Sequence, residues 1–212
     1  MLDGEQIAAP WRVATLPRQT KPVTRFVAER VDGRPALRVE ADRSYGNLVH
    51  DLPGAAAPRL LRWSWRLQQA NPSADLSKRA GDDTAVKVCL SFDLPLDSVP
   101  FGDRQLLRLT RASSGEMLPA ATLCWVWAGS EPRGALIDNA FTRRVRYIVL
   151  RNSSDALATW VDESRDVAAD FRRAFGDESE QLPPLTAVIV AGDADNTLAR
   201  SVAHVSALRF EP

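Results

Sequence analysis

Leu61-Arg62-Trp63-Ser64-Trp65-Arg66-Leu67-Gln68 is the stretch whose reading decides the fold. In an extended chain successive side chains point to opposite faces. Leu61, Trp63, Trp65 and Leu67 therefore line one face, and Arg62, Ser64, Arg66 and Gln68 the other. That period of two marks a half-buried strand. A slip of one residue would bury two arginines, so a firm register is expected.

The same period recurs along the chain. Val86, Val88, Leu90 and Phe92 share one face, with Lys87, Cys89 and Ser91 opposite. Val145, Tyr147 and Val149 mark a third strand, which runs on to Leu150. Residues 187–191 are wholly apolar, which suits a central strand, and residues 202–210 close the chain as another. Residues 121–127 are largely apolar on both faces and belong in a sheet interior. Asp32-Gly33 stands between alternating runs at 23–31 and 34–41, and predicts a two-residue hairpin turn. Residues 46–51 read as a further short strand.

One segment breaks the pattern. Asp166 is placed to cap a short helix over 167–175, with Gly176 as its stop. Val167, Phe171 and Ala174 then fall on one face. Polar, often Pro-bearing stretches at 71–83, 93–103, 113–119, 129–139 and 177–184 read as loops. No repeat or shift of composition divides the chain. The expectation is one all-β domain over residues 1–212, a β-sandwich with one short helix.

Composition narrows the function. Of 212 residues, 45% are hydrophobic and 25% charged, and 27 Lys plus Arg balance 27 Asp plus Glu. That balance gives no concentrated basic field, so no nucleic-acid partner is expected. No run approaches the ~20 apolar residues of a membrane span, so no transmembrane segment is expected. The basic residues are nearly all arginine; Lys21, Lys78 and Lys87 are the lysines. Arg forks onto carboxylates and sugar hydroxyls better than Lys does, while drift in a GC-rich genome gives the same bias. Cys89 and Cys124 both lie in strand-like runs and are expected as buried free thiols, with a disulfide as the alternative in an oxidising compartment. The first five residues lack signal-peptide character, so the protein is either cytoplasmic or trimmed of its signal.

The sequence contains no GxSxG, HExxH or P-loop motif. His204, in the last strand, reads as a packed or rim residue. Two acidic loops carry the candidate site. Asp82 and Asp83 precede the strand that ends at Phe92, and Asp193, Asp195 and Asn196 follow the strand that ends at Ala191. Carboxylates at strand ends bind calcium, bind sugar hydroxyls, act as acid and base, or simply make turns. Calcium is the candidate ion. An EF-hand is excluded, since Leu198 and His204 stand sixth and twelfth from Asp193 where Gly and Glu are needed. Trp63 and Trp65 share a face, as do Trp125 and Trp127. The first pair reads as core; for the second, core and sugar-stacking platform stay open. Glu163, Arg165 and Asp166 read as a salt-bridge network leading into the helix.

Several segments together resemble an uncharacterised bacterial family, the domain of unknown function numbered 3047. They are Trp63-Ser64-Trp65-Arg66, Gly81-Asp82-Asp83, Trp125-Val126-Trp127, Asn139-Ala140-Phe141-Thr142, Glu163-Ser164-Arg165-Asp166 and Asp193-Ala194-Asp195-Asn196-Thr197. The resemblance spans nearly the whole chain and implies an exported, periplasmic or secreted protein. It adds Asn139 to the candidate site. Ala191-Gly192 departs from the expected pattern, in which a hydroxyl or acidic residue precedes Asp193. The architecture is also similar to galactose-binding-like jelly rolls, in which the first and last strands lie side by side.

Three functions follow as expectations. The first is a non-catalytic module that binds carbohydrate or an envelope polymer through Asp82, Asp83, Trp125, Trp127, Asn139, Asp193, Asp195 and Asn196. The second is a hydrolase or lyase on polysaccharide that uses Asp83 and Asp195. The third is an envelope assembly protein.

Overall fold

The computed structural model describes residues 1–4, 6–114 and 118–211. The middle of the expected 113–119 loop lies outside the described residues. In chain order the strands are β1 (Leu2–Asp3), β2 (Gln6–Ile7), β3 (Arg12–Ala14), β4 (Arg25–Val31), β5 (Arg34–Asp42), β6 (Asn47–Ala55) and β7 (Leu60–Gln69). Then come β8 (Val86–Phe92), helix α1 (Phe101–Ser114), β9 (Ala121–Trp127), β10 (Leu136–Asp138), β11 (Val145–Arg151) and β12 (Val161–Asp166). Helix α2 (Val167–Phe175), β13 (Leu185–Ala191) and β14 (Arg200–Glu211) complete the chain.

Two sheets face each other. One has seven strands in the order β10-β11-β9-β8-β13-β6-β3, and the other has five in the order β12-β7-β14-β5-β4. The small β1-β2 pair is hydrogen-bonded to neither sheet, and its Leu2 and Ile7 pack against the core. The fold is a β-sandwich. Asp32 and Gly33 both have positive φ, 51° and 76°, so the hairpin between β4 and β5 turns as its sequence requires.

The core is filled from the inner faces of both sheets. Leu61, Trp63, Trp65 and Leu67 of β7 meet Leu123, Trp125 and Trp127 of β9. Trp63 and Trp65 pack edge to face at 5.3 Å, and each lies 5.7 Å from a tryptophan of the other sheet, Trp125 and Trp127 respectively. Three of the four indole N–H groups reach a partner: Trp65 donates to Glu163 at 3.1 Å, Trp125 to Asp170 at 2.7 Å and Trp127 to the Asn152 carbonyl at 3.2 Å, while Trp63 Nε1 has none among the described residues. A buried indole keeps its hydrogen bond this way. Asp166 accepts from the Ala169 N–H and starts α2, whose Phe171 and Phe175 close the core beyond β12.

Three expectations are corrected. Cys89 and Cys124 are not free thiols. They face each other across β8 and β9, with Cα atoms 4.0 Å apart, and form a disulfide. A second helix, α1, fills the stretch between the expected 93–103 and 113–119 loops and takes in the end of the first; its Phe101, Leu106 and Leu109 stay exposed, so they form no buried stripe that sequence could reveal. The first and last long strands do not lie side by side, since β3 is at the edge of one sheet and β14 is inside the other. The salt bridges expected at the junction with the helix are present: Glu163 meets Arg151 at 2.8 Å, and Arg165 meets Asp170 of α2 at 2.7 Å.

Candidate functional site

The two acidic loops do meet. Lys87 of β8 stands opposite Ala191 of β13, so the residues before one strand adjoin those after the other. Asp83 takes the amides of Asn196 (3.2 Å) and Thr197 (2.8 Å), the Asn196 side-chain amide (3.2 Å) and the Thr197 hydroxyl (2.6 Å). Asp193 reciprocates by accepting from the Thr84 amide at 2.6 Å and hydroxyl at 2.7 Å. Its other oxygen meets the Lys87 ammonium at 2.5 Å. Gly192 lets the chain pass, because a Cβ there would sit 2.7 Å from the Ala85 carbonyl oxygen.

Asn139 joins the cluster from the loop after β10. Its amide nitrogen donates to Asp82 and to the Tyr147 hydroxyl, the latter at 2.8 Å, while its oxygen accepts from the amides of Phe141 and Thr142. Asp195 is held by Lys21 at 2.6 Å. Burial pushes the Asp82 carboxyl up to about 6, with help from Asp193 and Asp83 and opposition from Lys87. Burial works against the Lys87 ammonium, yet Asp193 and the tyrosine hydroxyls hold its pKa above the ordinary lysine value. Burial also raises the Tyr147 phenol.

These loops are therefore a buried polar knot rather than an open site. Asp82, Asp83, Asp193 and Asp195 are all buried. Among the described residues no group of three or more His, Cys, Asp or Glu is arranged to hold a metal ion. Hydrogen-bond donors of the protein already occupy both oxygens of Asp83 and of Asp193. Trp125 and Trp127 do not join them. Both are 0% exposed in the core, so the sugar-stacking platform is corrected: they face the opposite sheet because the sheet's other face carries Cys124 and Val126.

A second polar cluster lies on another face, with Ser64, Ser206 and His204 buried in it and arginines around them. The outward side of the five-stranded sheet carries the polar half of the deciding stretch. Arg62, Ser64 and Arg66 of β7 lie beside Arg209, Ser206 and His204 of β14. Arg38 of β5 lies beyond His204, and Asp162 of β12 beside Ser64. Ser64 donates to Asp162 at 2.5 Å, and His204 Nε2 is 2.8 Å from Glu29. His204 is only 3% exposed, and its Nδ1 has no hydrogen-bond partner among the described residues. Burial lowers the His204 pKa, which keeps the ring neutral. Trp160 stands at the margin, donating to Asp32 at 3.0 Å under the guanidinium of Arg34. The legible signal was the alternation Arg62, Ser64, Arg66, Gln68; the sequence does not show that β14 and β5 extend that face.

Two cavities lie elsewhere. One of about 180 Å³ is lined by Trp127, Ala128 and Asn71, and one of about 370 Å³ lies between α1 and the ends of β9 and β11.

Residues 9–209 match the model of a family described as protein of unknown function, DUF3047. No curated protein sequence matches the chain. Among solved structures, the family GH12 endoglucanase 3 of Trichoderma harzianum aligns at TM-score 0.44 and 8% identity, over 96% of this chain and 100% of that one. The xyloglucanase domain of NopAA, a type three effector from Sinorhizobium fredii solved with cellobiose, aligns at 0.43 and 8%, over 97% and 100%. A carbohydrate-binding module specific for non-crystalline cellulose, CBM28, aligns at 0.35 and 12%, over 88% and 80%.

Proposed function

The chain belongs to the DUF3047 family, and we propose that it is a non-catalytic module that binds a carbohydrate or envelope polymer on the outward face of its five-stranded sheet. One observation carries this reading. That face is built of guanidinium, carboxylate, hydroxyl and imidazole groups from adjacent strands, fixed by hydrogen bonds to one another. Polar groups held in place before binding are what hydroxyl recognition needs, because less ordering is then lost on association. The acidic loops serve the fold instead, by locking the ends of β8 and β13 together. Asp83 and Asp195, the pair expected of a hydrolase or lyase, are tied to Asn196 and Thr197 and to Lys21.

The Cys89–Cys124 disulfide supports an exported protein, since such bonds persist in oxidising compartments. The test is affinity electrophoresis of the chain through gels that contain soluble polysaccharides, paired with an assay for released reducing ends. Retardation without release supports the reading. Release of reducing ends, or free migration through every polymer, overturns it.

A further inference from the structure

Helix α1 turns most of its apolar side chains away from the core. Phe101, Leu106 and Leu109 are exposed, and of its three leucines only Leu107 is buried. The cavity of about 370 Å³ lies between this helix and the seven-stranded sheet, at Thr122 of β9 and Val145 of β11. Leu106, Leu107, Leu118, Pro119, Phe141 and Val145 give it apolar walls. Leu107 and Thr122 are buried at its inner end, whereas Leu106 is 56% and Phe141 52% exposed. The cavity therefore opens to solvent between those two side chains. Its volume falls within the ~300–1,000 Å³ usual for small-ligand sites, which are also mostly apolar.

We infer that this cavity takes the aliphatic tail of a single-chain amphiphile, and that Arg79 at its mouth meets the anionic head group. The site is on the other sheet from the face assigned to the polymer, and it stands or falls independently of that reading.

The state of the lining decides which end of the ligand goes in. Its polar groups are engaged within the fold. The Thr110 hydroxyl donates to the Leu106 carbonyl at 2.9 Å, Thr122 shares a hydrogen bond with Ser91 at 3.0 Å, and the Thr142 hydroxyl accepts from the Arg144 amide at 3.1 Å. Arg144 is held by Asp103 at 2.9 Å and by Glu178 at 2.5 Å. Two carboxylates on that one guanidinium leave no positive charge to spare inside, so a second anion has no partner there. The tail enters, and the head stays at the surface. Arg79, in the turn before β8, stands at the mouth with its guanidinium over the Phe141 ring at 5.4 Å. It is exposed, its Nε donates to the Ala140 carbonyl at 3.0 Å, and it has no carboxylate partner among the described residues. A guanidinium fork with free N–H groups suits an anionic head. The inner wall is aliphatic and offers no ring for an aromatic ligand to pack on, which favours an alkyl chain.

The test is fluorescence titration of the full chain with cis-parinarate, followed by displacement with octanoate, decanoate, decanol and decyltrimethylammonium below their micelle concentrations. Decanoate is expected to displace the probe best, and octanoate to bind more weakly by about fourfold for each methylene lost. Thr110→Trp, which fills the cavity, is expected to weaken decanoate at least tenfold while circular dichroism stays unchanged. If Thr110→Trp does not fold, Leu106→Glu at the exposed mouth provides the same test. Leu109→Glu, on the same helix but outside the lining, is expected to bind as the wild type does. Arg79→Gln is expected to weaken decanoate several-fold and leave decanol unaltered. Equal losses in Leu106→Glu and Leu109→Glu would overturn the cavity in favour of adsorption on the helix surface. Decanoate binding that Arg79→Gln does not alter, or tighter binding of decyltrimethylammonium, would overturn the placement of the head. A chain that sediments with phosphatidylglycerol vesicles but has no affinity for parinarate or decanoate would overturn the inference, as would no binding to either.

Discussion

Lys87 and Asp193 form an ion pair of 2.5 Å in which neither side chain is more than 8% exposed. The pair ties the base of β8 to the loop after β13, and Asp83 repeats the tie in the other direction. Removing one partner of such a pair strands a charge away from water, at a cost of about 3–5 kcal/mol. Lys87→Ala is therefore expected to lower stability by that order in urea unfolding. A midpoint equal to that of the wild type would show that the knot is not buried.

Asp82 gives the knot a pH signature. Its carboxyl titrates near 3.8 when unfolded and at about 6 when folded. The folded state thus binds more protons between those values, and stability from this group falls as pH rises through the window. Its contribution is complete below about 4 and gone above about 6. His204 acts in the opposite sense, because its lowered folded pKa makes stability rise with pH toward 6.5. The difference between wild type and Asp82→Asn isolates the first group. The variant should gain relative stability from pH 4 to pH 6, and parallel curves would refute the assignment.

The four tryptophans are structural. Trp125→Ala is expected to cost about 3–5 kcal/mol, as other large aromatic truncations in cores do. It also leaves Asp170, among the described residues, with Arg165 as its remaining side-chain partner. Near-UV circular dichroism and thermal melts check this. A stable variant that loses only polymer retention would return Trp125 to the binding face.

The disulfide closes a loop with a sequence separation of 35 residues. Chain-entropy arguments give such a closure about 4 kcal/mol. The Cys89→Ala, Cys124→Ala double variant should melt well below the oxidised wild type and match the reduced one. If reductant and substitution leave the melt unchanged, the pairing is absent.

The sequence by itself determined the strands with a clear alternation. Residues 61–68 could satisfy their own alternation only as a half-buried strand, and Asp32-Gly33 could turn only as a tight hairpin, so β4, β5 and β7 were legible from local pattern. The cap at Asp166 was legible too, because a capping side chain bonds within its own first turn. What crosses between strands was not. Cys89 faces Cys124, and Asp83 faces Thr197, only because β8 pairs with both β9 and β13. The fate of Trp125 was hidden for the same reason: both faces of β9 are apolar and buried, and only the packing decides which one meets the opposing sheet. The polar outer face of the five-stranded sheet is the sharpest case. Ser64, Ser206, His204 and Glu29 are scattered over 178 positions of sequence, and register alone sets them side by side. Alternation is a property of one strand, whereas a face belongs to several, and the order of strands in a sheet is fixed by how the whole core closes.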